Sequence, residues 1–345
     1  MSQYAAVKTG VARRMTMLGI LLAVSVVGSF TVGRYGVALH KVAGILLSPI
    51  FPLEPFWTST DFRVVTLIRG PRVAMAVISG AGLAISGAVL QGIFRNPLLE
   101  PQVIGVSTGS GFGGALAILF FSSQVLTMGS AFAFGLISVA GVYLMSRSQG
   151  RSPVLMLVLS GVIAGAFFTA LTSLIKYVAD PYDKLPAIVV WLMGSFATMT
   201  YKKLFIAAGP IILCCLFLYL IRFRINIVSI GDEEAESLGI KTDRLRWAIL
   251  TAVTVITAAV VSAAGIIGWV GLVVPHIARM LVGPDHRRLL PASALAGGIY
   301  LLWIDNLARA ATAAEIPLGV ITAIIGAPVF GYLLKRTQGR GWKHD

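Results

Sequence analysis

The sequence predicts an all-α polytopic membrane protein of about ten transmembrane helices, and three observations carry that expectation. Of the 345 residues 57% are hydrophobic and only 12% charged, too little polar surface for a soluble globule and enough apolar sequence for many crossings. The apolar runs recur near the length of one crossing, about 20 residues, with short basic loops between them. The stretch from Gly265 to Pro291, GIIGWVGLVVPHIARMLVGPDHRRLLP, sets Gly265, Gly268, Gly271 and Pro275 close together. A soluble core helix has no use for such punctuation, because each glycine weakens it and proline removes a backbone donor. In a membrane the stretch reads as a helix broken at Pro275-His276, kept where the freed backbone is buried in protein or lines a cavity.

Taken in order, apolar segments fall near residues 15–33, 71–93, 103–121, 125–145, 154–176, 203–221, 247–267, 269–282, 289–308 and 317–334. The first follows Lys8, Arg13 and Arg14, as a secretory signal would. No small-x-small cleavage site leads into a polar mature region, so it reads as a retained first helix. In the second, Gly80, Ala84 and Ala88, with Gly82 and Ser86, recur at helix-contact spacing, which lets helices approach closely without a hydrophobic driving force between them. The segment from Ala187 to Phe196 is too short to cross and reads as an outer-face or partly inserted helix beginning after Pro186. Cys214 and Cys215 are adjacent within one apolar run, where they neither staple a loop nor make a metal site. The glycine-rich broken segments near 80–114 and 258–283 sit in comparable places in the two halves, a hint of duplicated architecture.

The net charge of +14 is distributed among short loops, not gathered on one polar face, and so speaks of topology, not nucleic-acid binding. Alternation from a cytoplasmic N-terminus puts eighteen of the 28 lysines and arginines inside, which favours a multi-pass protein with both termini in the cytoplasm. The longest polar insertion on that side, within residues 226–246, contains Asp232, Glu233 and Glu234 at a helix start and Gly239 to stop it. Acids suit the positive end of a helix dipole and glycine the left-handed position after the last turn, so a short amphipathic cytoplasmic helix is expected. No GxxxxGK[ST] phosphate loop occurs, so ATP would be handled by another chain. No nucleophile with a base, and no His and Cys set at ligand spacing, is discernible.

From Arg69 to Gly113, RGPRVAMAVISGAGLAISGAVLQGIFRNPLLEPQVIGVSTGSGFG, two arginines lead through a small-residue stripe to Asn96-Pro97-Leu98. With GDEEAESLG, GWVGLVVPHIAR, DHRRLLP and DNLARAATAAEIPLGVITAIIGAP in order along the chain, it resembles the FecCD family of ABC importer permeases. The resemblance covers nearly the whole chain. It implies a type II ABC importer permease fold, a single transmembrane permease domain over residues 1–345 and a homodimer in the cytoplasmic (inner) membrane. A dimer of ATPase subunits, which would hold ATP and Mg, is implied below, and a periplasmic or lipid-anchored substrate-binding protein above. The family's cargoes are iron siderophores, haem and vitamin B12. Carried over by residue, the coupling helix falls on Gly231, Asp232, Glu233, Glu234, Ala235, Glu236, Ser237, Leu238 and Gly239. Its knobs Ile230, Ala235 and Leu238 suit helix-in-groove recognition by the ATPase.

Arg69, Arg72 and Arg309 match arginines that in the family pair with glutamates of the binding protein, and the guanidinium fork suits bidentate carboxylate contact. The plainer alternative for each is an interface arginine that snorkels. Asp305 and Glu315 flank Arg309 as possible local partners. Asn96, Pro97, Pro275 and His276 are the pathway or helix-break positions, and His276 reads as packing at the break rather than as a metal ligand. Ser152 and Pro153 fall where the family closes an inner gate. His286 reads as a cytoplasmic loop residue. No metal site and no cofactor are expected in this chain. The cargo expected first is an iron siderophore, with haem, cobalamin and, more remotely, molybdate behind it. The rival class is an ion-coupled secondary transporter with Asp305, Glu315 or Asp180 as its coupling carboxylates, transporting alone.

Overall fold

A computed structural model describes residues 2–121, 123–146 and 154–338; the gate positions Ser152 and Pro153 lie outside them. Helices α1 (Ser2–Ser29), α2 (Leu39–Leu47) and α3 (Ser59–Arg63) are followed by a π-helical turn, Val64–Arg69, that runs directly into α4 (Gly70–Ile93). A 3-10 turn, Pro101–Ile104, precedes α5 (Val106–Phe120), and then come α6 (Gln124–Ser146), α7 (Val154–Val178) and the short α8 (Lys184–Leu192). The second half holds α9 (Tyr201–Leu220), α10 (Arg222–Ile230), α11 (Asp232–Ser237), α12 (Thr242–Ala264), α13 (Val270–Val282), α14 (His286–Ala310) and α15 (Leu318–Gln338).

Each of the ten expected segments has its helix. Among the described residues, six helical stretches have the length and apolar composition to cross a membrane, including Ser59–Ile93, Thr242–Ala264 and Gly10–Ser29. The apolar α5 and α13 and the apolar stretch Leu318–Leu333 of α15 are shorter, and α14 carries the charges that lower its hydropathy. Two differences from expectation are local. Helix α8 starts at Lys184, so Pro186 lies inside its first turn, where the backbone donors have no intrahelical partner and a proline costs nothing. Helices α2 and α3 are too short and too mixed to show as apolar runs; α3 declares itself by the capping box of Thr58 and Asp61.

Helices α4 and α12 form the centre, each with most of its apolar stretch covered by protein. The neighbours repeat between the halves: α4 packs on α14 and α13 as α12 packs on α6 and α5, while α5–α6, α5–α7 and α6–α7 are matched by α13–α14, α13–α15 and α14–α15. This correspondence gives spatial form to the duplication hinted at by the glycine-rich segments. The tightest crossing is between α4 and α14, where a Cβ on Gly80 would stand 2.1 Å from the Gly297 carbonyl oxygen and one on Gly297 would stand 2.2 Å from that of Gly80. Only two hydrogens fit between these backbones, so van der Waals contact holds the pair where apolar burial gives little. By contrast α7 leaves Leu155, Leu159, Val162, Ile163, Phe167 and Leu174 facing outward, as a helix in contact with lipid or another subunit must.

Candidate functional site

The break lies earlier than Pro275-His276. Helix α12 ends at Ala264, and Gly265, at φ +74° and with the Trp191 carbonyl 2.1 Å from where its Cβ would be, turns the chain as no L-residue does without strain. Trp269, itself left-handed at φ +68°, then starts α13, which continues through Pro275 to Val282. Pro275 survives inside the helix because its lost bond is replaced. The carbonyl it leaves without a partner is that of Gly271, four residues back, and Gln91 of α4 donates its Nε2 to that oxygen at 3.2 Å and to the Leu272 oxygen at 3.4 Å. The other end of the same amide accepts from Arg279 Nη2 at 3.1 Å. Gln91 is buried, and its amide thereby ties α4 to both the first and the last turn of α13. His276 is buried with its ring edge-on to Phe330, centroids 6.3 Å apart, a packing position.

The second break faces the first. After α4, Arg95 is left-handed, Asn96 Oδ1 accepts from Leu98 N at 2.9 Å, and Pro97 extends the turn. The chain then reaches the 3-10 turn, where the Gln102 side chain lies against Gly268 and Pro101 against Gly271. The two interruptions, distant in sequence, thus meet inside the bundle, where non-helical backbone is tolerated only against protein or a cavity.

At the end of the bundle where α4 begins, four ionic side chains converge. Arg72 Nε is 2.9 Å from each carboxylate oxygen of Asp305, its Nη1 is 3.0 Å from Glu315 Oε1, and its Nη2 completes the contacts with both acids at 2.8 and 2.9 Å. Arg309 stands 3.7 Å from Asp305 but gives its hydrogen bonds to the Ser29 carbonyl, at 2.6 Å, and to Asn306. Arg69 donates to the carbonyls of Phe30 and Tyr35. The sequence set Asp305 and Glu315 beside Arg309; folding gives both to Arg72, because α4 and α14 cross with these faces together. All three arginines are buried and hold partners within the chain, while Arg309 Nε is left without a hydrogen bond.

At the opposite end, α11 is held by its acids. Asp232 takes Arg246 Nη2 at 2.9 and 3.1 Å, and Glu236 accepts from Thr242 Oγ1 at 3.1 Å. Gly239, at φ +78°, follows the helix as expected. Glu233 and Glu234 point outward, with Ile230 66% and Leu238 67% exposed, but Ala235 is fully buried. The expected trio of apolar knobs is therefore a pair, Ala235 being the foot on which the short helix stands. Nor is His286 a loop residue: it is buried at the start of α14, its backbone and ring Nδ1 both 2.8 Å from Asn226 Oδ1. Asn226 also donates to Asp285 at 2.6 Å, so α10 is pinned to the α13–α14 turn. Burial pushes the Asp285 carboxyl up, but hydrogen bonds from Arg287 N and Asn226 and the charges of Arg287 and Arg288 outweigh it and leave the carboxyl below its ordinary range.

The match to known proteins is extensive. The model of the FecCD transport family matches residues 21–336. The chain belongs to the FecCD transport family. It is 43% identical to the molybdate import system permease protein MolB of Haemophilus influenzae over 94% of this chain and 96% of that one. It is also 43% identical to an iron chelatin transport system permease of Helicobacter pylori over 80% of this chain and 83% of the relative. A solved inward-facing conformation of a metal-chelate type ABC transporter superposes with a TM-score of 0.85 at 42% identity, covering 94% of this chain and 99% of that one. This FecCD chain is thus a multi-pass ABC importer permease with the type II fold, a transport subunit whose family draws its ATPase from separate chains.

Proposed function

We propose that this permease works as a homodimer in the cytoplasmic membrane, both termini inside, taking a metal-containing cargo from a substrate-binding protein and passing it inward as a pair of ATPase subunits closes. The observation that carries this reading is α11: a six-residue helix that exposes Glu233 and Glu234 and is flanked by the exposed Ile230, at the end of α10, and Leu238, its C-cap, while Asp232, Ala235 and Glu236 bind it to the bundle. Such a projection suits a groove with basic rims on a partner. Movement there reaches α12 through Arg246 and α14 through Asn226, since packed elements shift between discrete arrangements instead of deforming continuously. The outward apolar face of α7 is the surface offered to the second copy or to lipid.

Docking of the binding protein belongs to the opposite end. Arg69, Arg72 and Arg309 support it from within by fixing α1, α4 and α14, while Glu315, about a third exposed, presents charge to the surface. The secondary-transporter alternative needs carboxylates free to exchange protons or sodium. Asp305 and Glu315 are instead paired with Arg72, and Asp180 is exposed and occupied as a cap for Tyr182 N and Asp183 N.

The cargo expected first is an iron chelate, with molybdate beside it given the 43% relative from Haemophilus influenzae. Uptake of a panel of labelled iron siderophores, haem, cobalamin and molybdate, with and without this chain, tests the assignment. Uptake of one cargo only when the chain is present names it, and chain-dependent uptake of none of them contradicts the metal-cargo reading.

A further inference from the structure

We propose that the hollow between α5, α6, α8, α9 and α12, at the end of the bundle where α9 begins, is a binding site for a tetrahedral oxyanion, with Lys203 as its fixed positive charge. The inference stands apart from the importer reading. The hollow has a volume of about 420 Å³ and is lined at its polar side by Ser123, Gln124, Lys184, Ser195, Thr198 and Lys203.

Lys203 is only 9% exposed, a degree of burial that lysine tolerates when its charge is balanced. Yet its ammonium makes one hydrogen bond among the described residues, to Thr198 Oγ1 at 3.0 Å, and has no ion-pair partner among them. An ammonium carries three donors, so two remain for an acceptor in the hollow. The nearby acid does not serve: Asp183, also on the wall, is largely exposed and lies 3.7 Å from Lys184 Nζ. The Ser195 hydroxyl accepts from Ala197 N at 3.0 Å, which leaves its hydrogen to donate inward. One buried cation, a second lysine at the rim and rotatable hydroxyls form a donor set matched to an anion with several acceptor oxygens. A phosphate-type oxyanion has this chemistry whether it is free in solution or is the headgroup of a phospholipid, since the hollow sits at an end of membrane-crossing helices.

The test uses the full chain purified in an alkyl maltoside detergent, which brings no phosphate of its own. Molybdate, phosphate and sulfate are titrated calorimetrically, and native mass spectrometry after exchange into phosphatidylcholine or phosphatidylglycerol nanodiscs reads any retained lipid. Saturable binding of an inorganic oxyanion, or retention of one phospholipid that excludes it, supports the site when Lys203→Gln weakens it by about tenfold or more, as loss of a charge-assisted contact would, and Lys203→Arg retains it. An unchanged melting temperature of Lys203→Gln without ligand separates lost binding from lost fold; if that variant does not fold, Thr198→Val and Ser195→Ala carry the same comparison. Absence of both oxyanion and retained phospholipid, or binding indifferent to these substitutions, overturns the proposal.

Discussion

Gln91 of α4 donates its side-chain amide to the Gly271 carbonyl of α13, at 3.2 Å. That carbonyl is the one Pro275 cannot serve. The two residues together explain how a proline sits within a helix that does not break there.

The pairing predicts non-additivity. Gln91→Leu leaves a buried carbonyl without a donor and should cost about 1–3 kcal/mol, whereas Pro275→Ala restores the backbone donor. In the double variant the cost of losing Gln91 should shrink, since Gly271 no longer depends on it. Thermal unfolding of the four proteins of the cycle in detergent measures the coupling, and strictly additive shifts contradict the account.

Arg72 and Asp305 predict an asymmetry between breaking and replacing a buried pair. Asp305→Ala leaves the Arg72 guanidinium buried with Glu315 alone and should destabilise by about 3–5 kcal/mol, while Arg72→Met with Asp305→Leu should cost much less. Folded yield and detergent melting of the single and double variants decide it. Equal losses would mean that the ion pair is not what fixes α4 on α14.

At the α4–α14 crossing, Gly80→Ala or Gly297→Ala forces a methyl onto opposing backbone and should cost about 1–3 kcal/mol or more. Gly129→Ala and Gly141→Ala, whose added Cβ meets nothing within 4 Å, should be silent. Monodispersity and melting temperature across the four variants form the comparison, and a silent Gly80→Ala would refute the close crossing.

Asp285 has its carboxyl held below the ordinary range in the folded chain. A depressed carboxylate contributes stability that is complete above its unfolded value and is lost as pH falls through the folded one. The melting temperature should therefore decline on acidification below the ordinary aspartate range, and Asp285→Asn should flatten that limb. An identical acid limb in the variant would remove Asp285 as its source.

Composition and loop charges were enough to place ten helices, because span length follows from bilayer thickness. The stretch from Gly265 to Trp269 also announced an interruption, but the proline drew attention to the wrong place: the compensating donor, Gln91, lies 180 residues away and sends no local signal. A still larger separation, 233 residues, hid the choice of Arg72 over Arg309 as partner for Asp305, since nearness in sequence favours the i, i+4 pair. Ala235 reads as a knob by composition, and only the packing of α11 shows it to be the foot. Lys203 opens an apolar segment in the sequence and sends no signal of its own; its burial beside a polar hollow is a property of five helices together.

The central claim is that ATP hydrolysis on a separate subunit drives this chain through α11. It is tested by reconstituting the permease with its ATPase and binding protein in liposomes and measuring cargo uptake and ATP hydrolysis together, for the unaltered chain, for Leu238→Glu and with an ATPase-dead partner. The account predicts uptake that vanishes with the dead ATPase and, in Leu238→Glu, folded protein whose uptake falls far more than the partner's hydrolysis. Uptake that persists with the dead ATPase, or coupling untouched by Leu238→Glu, would contradict it.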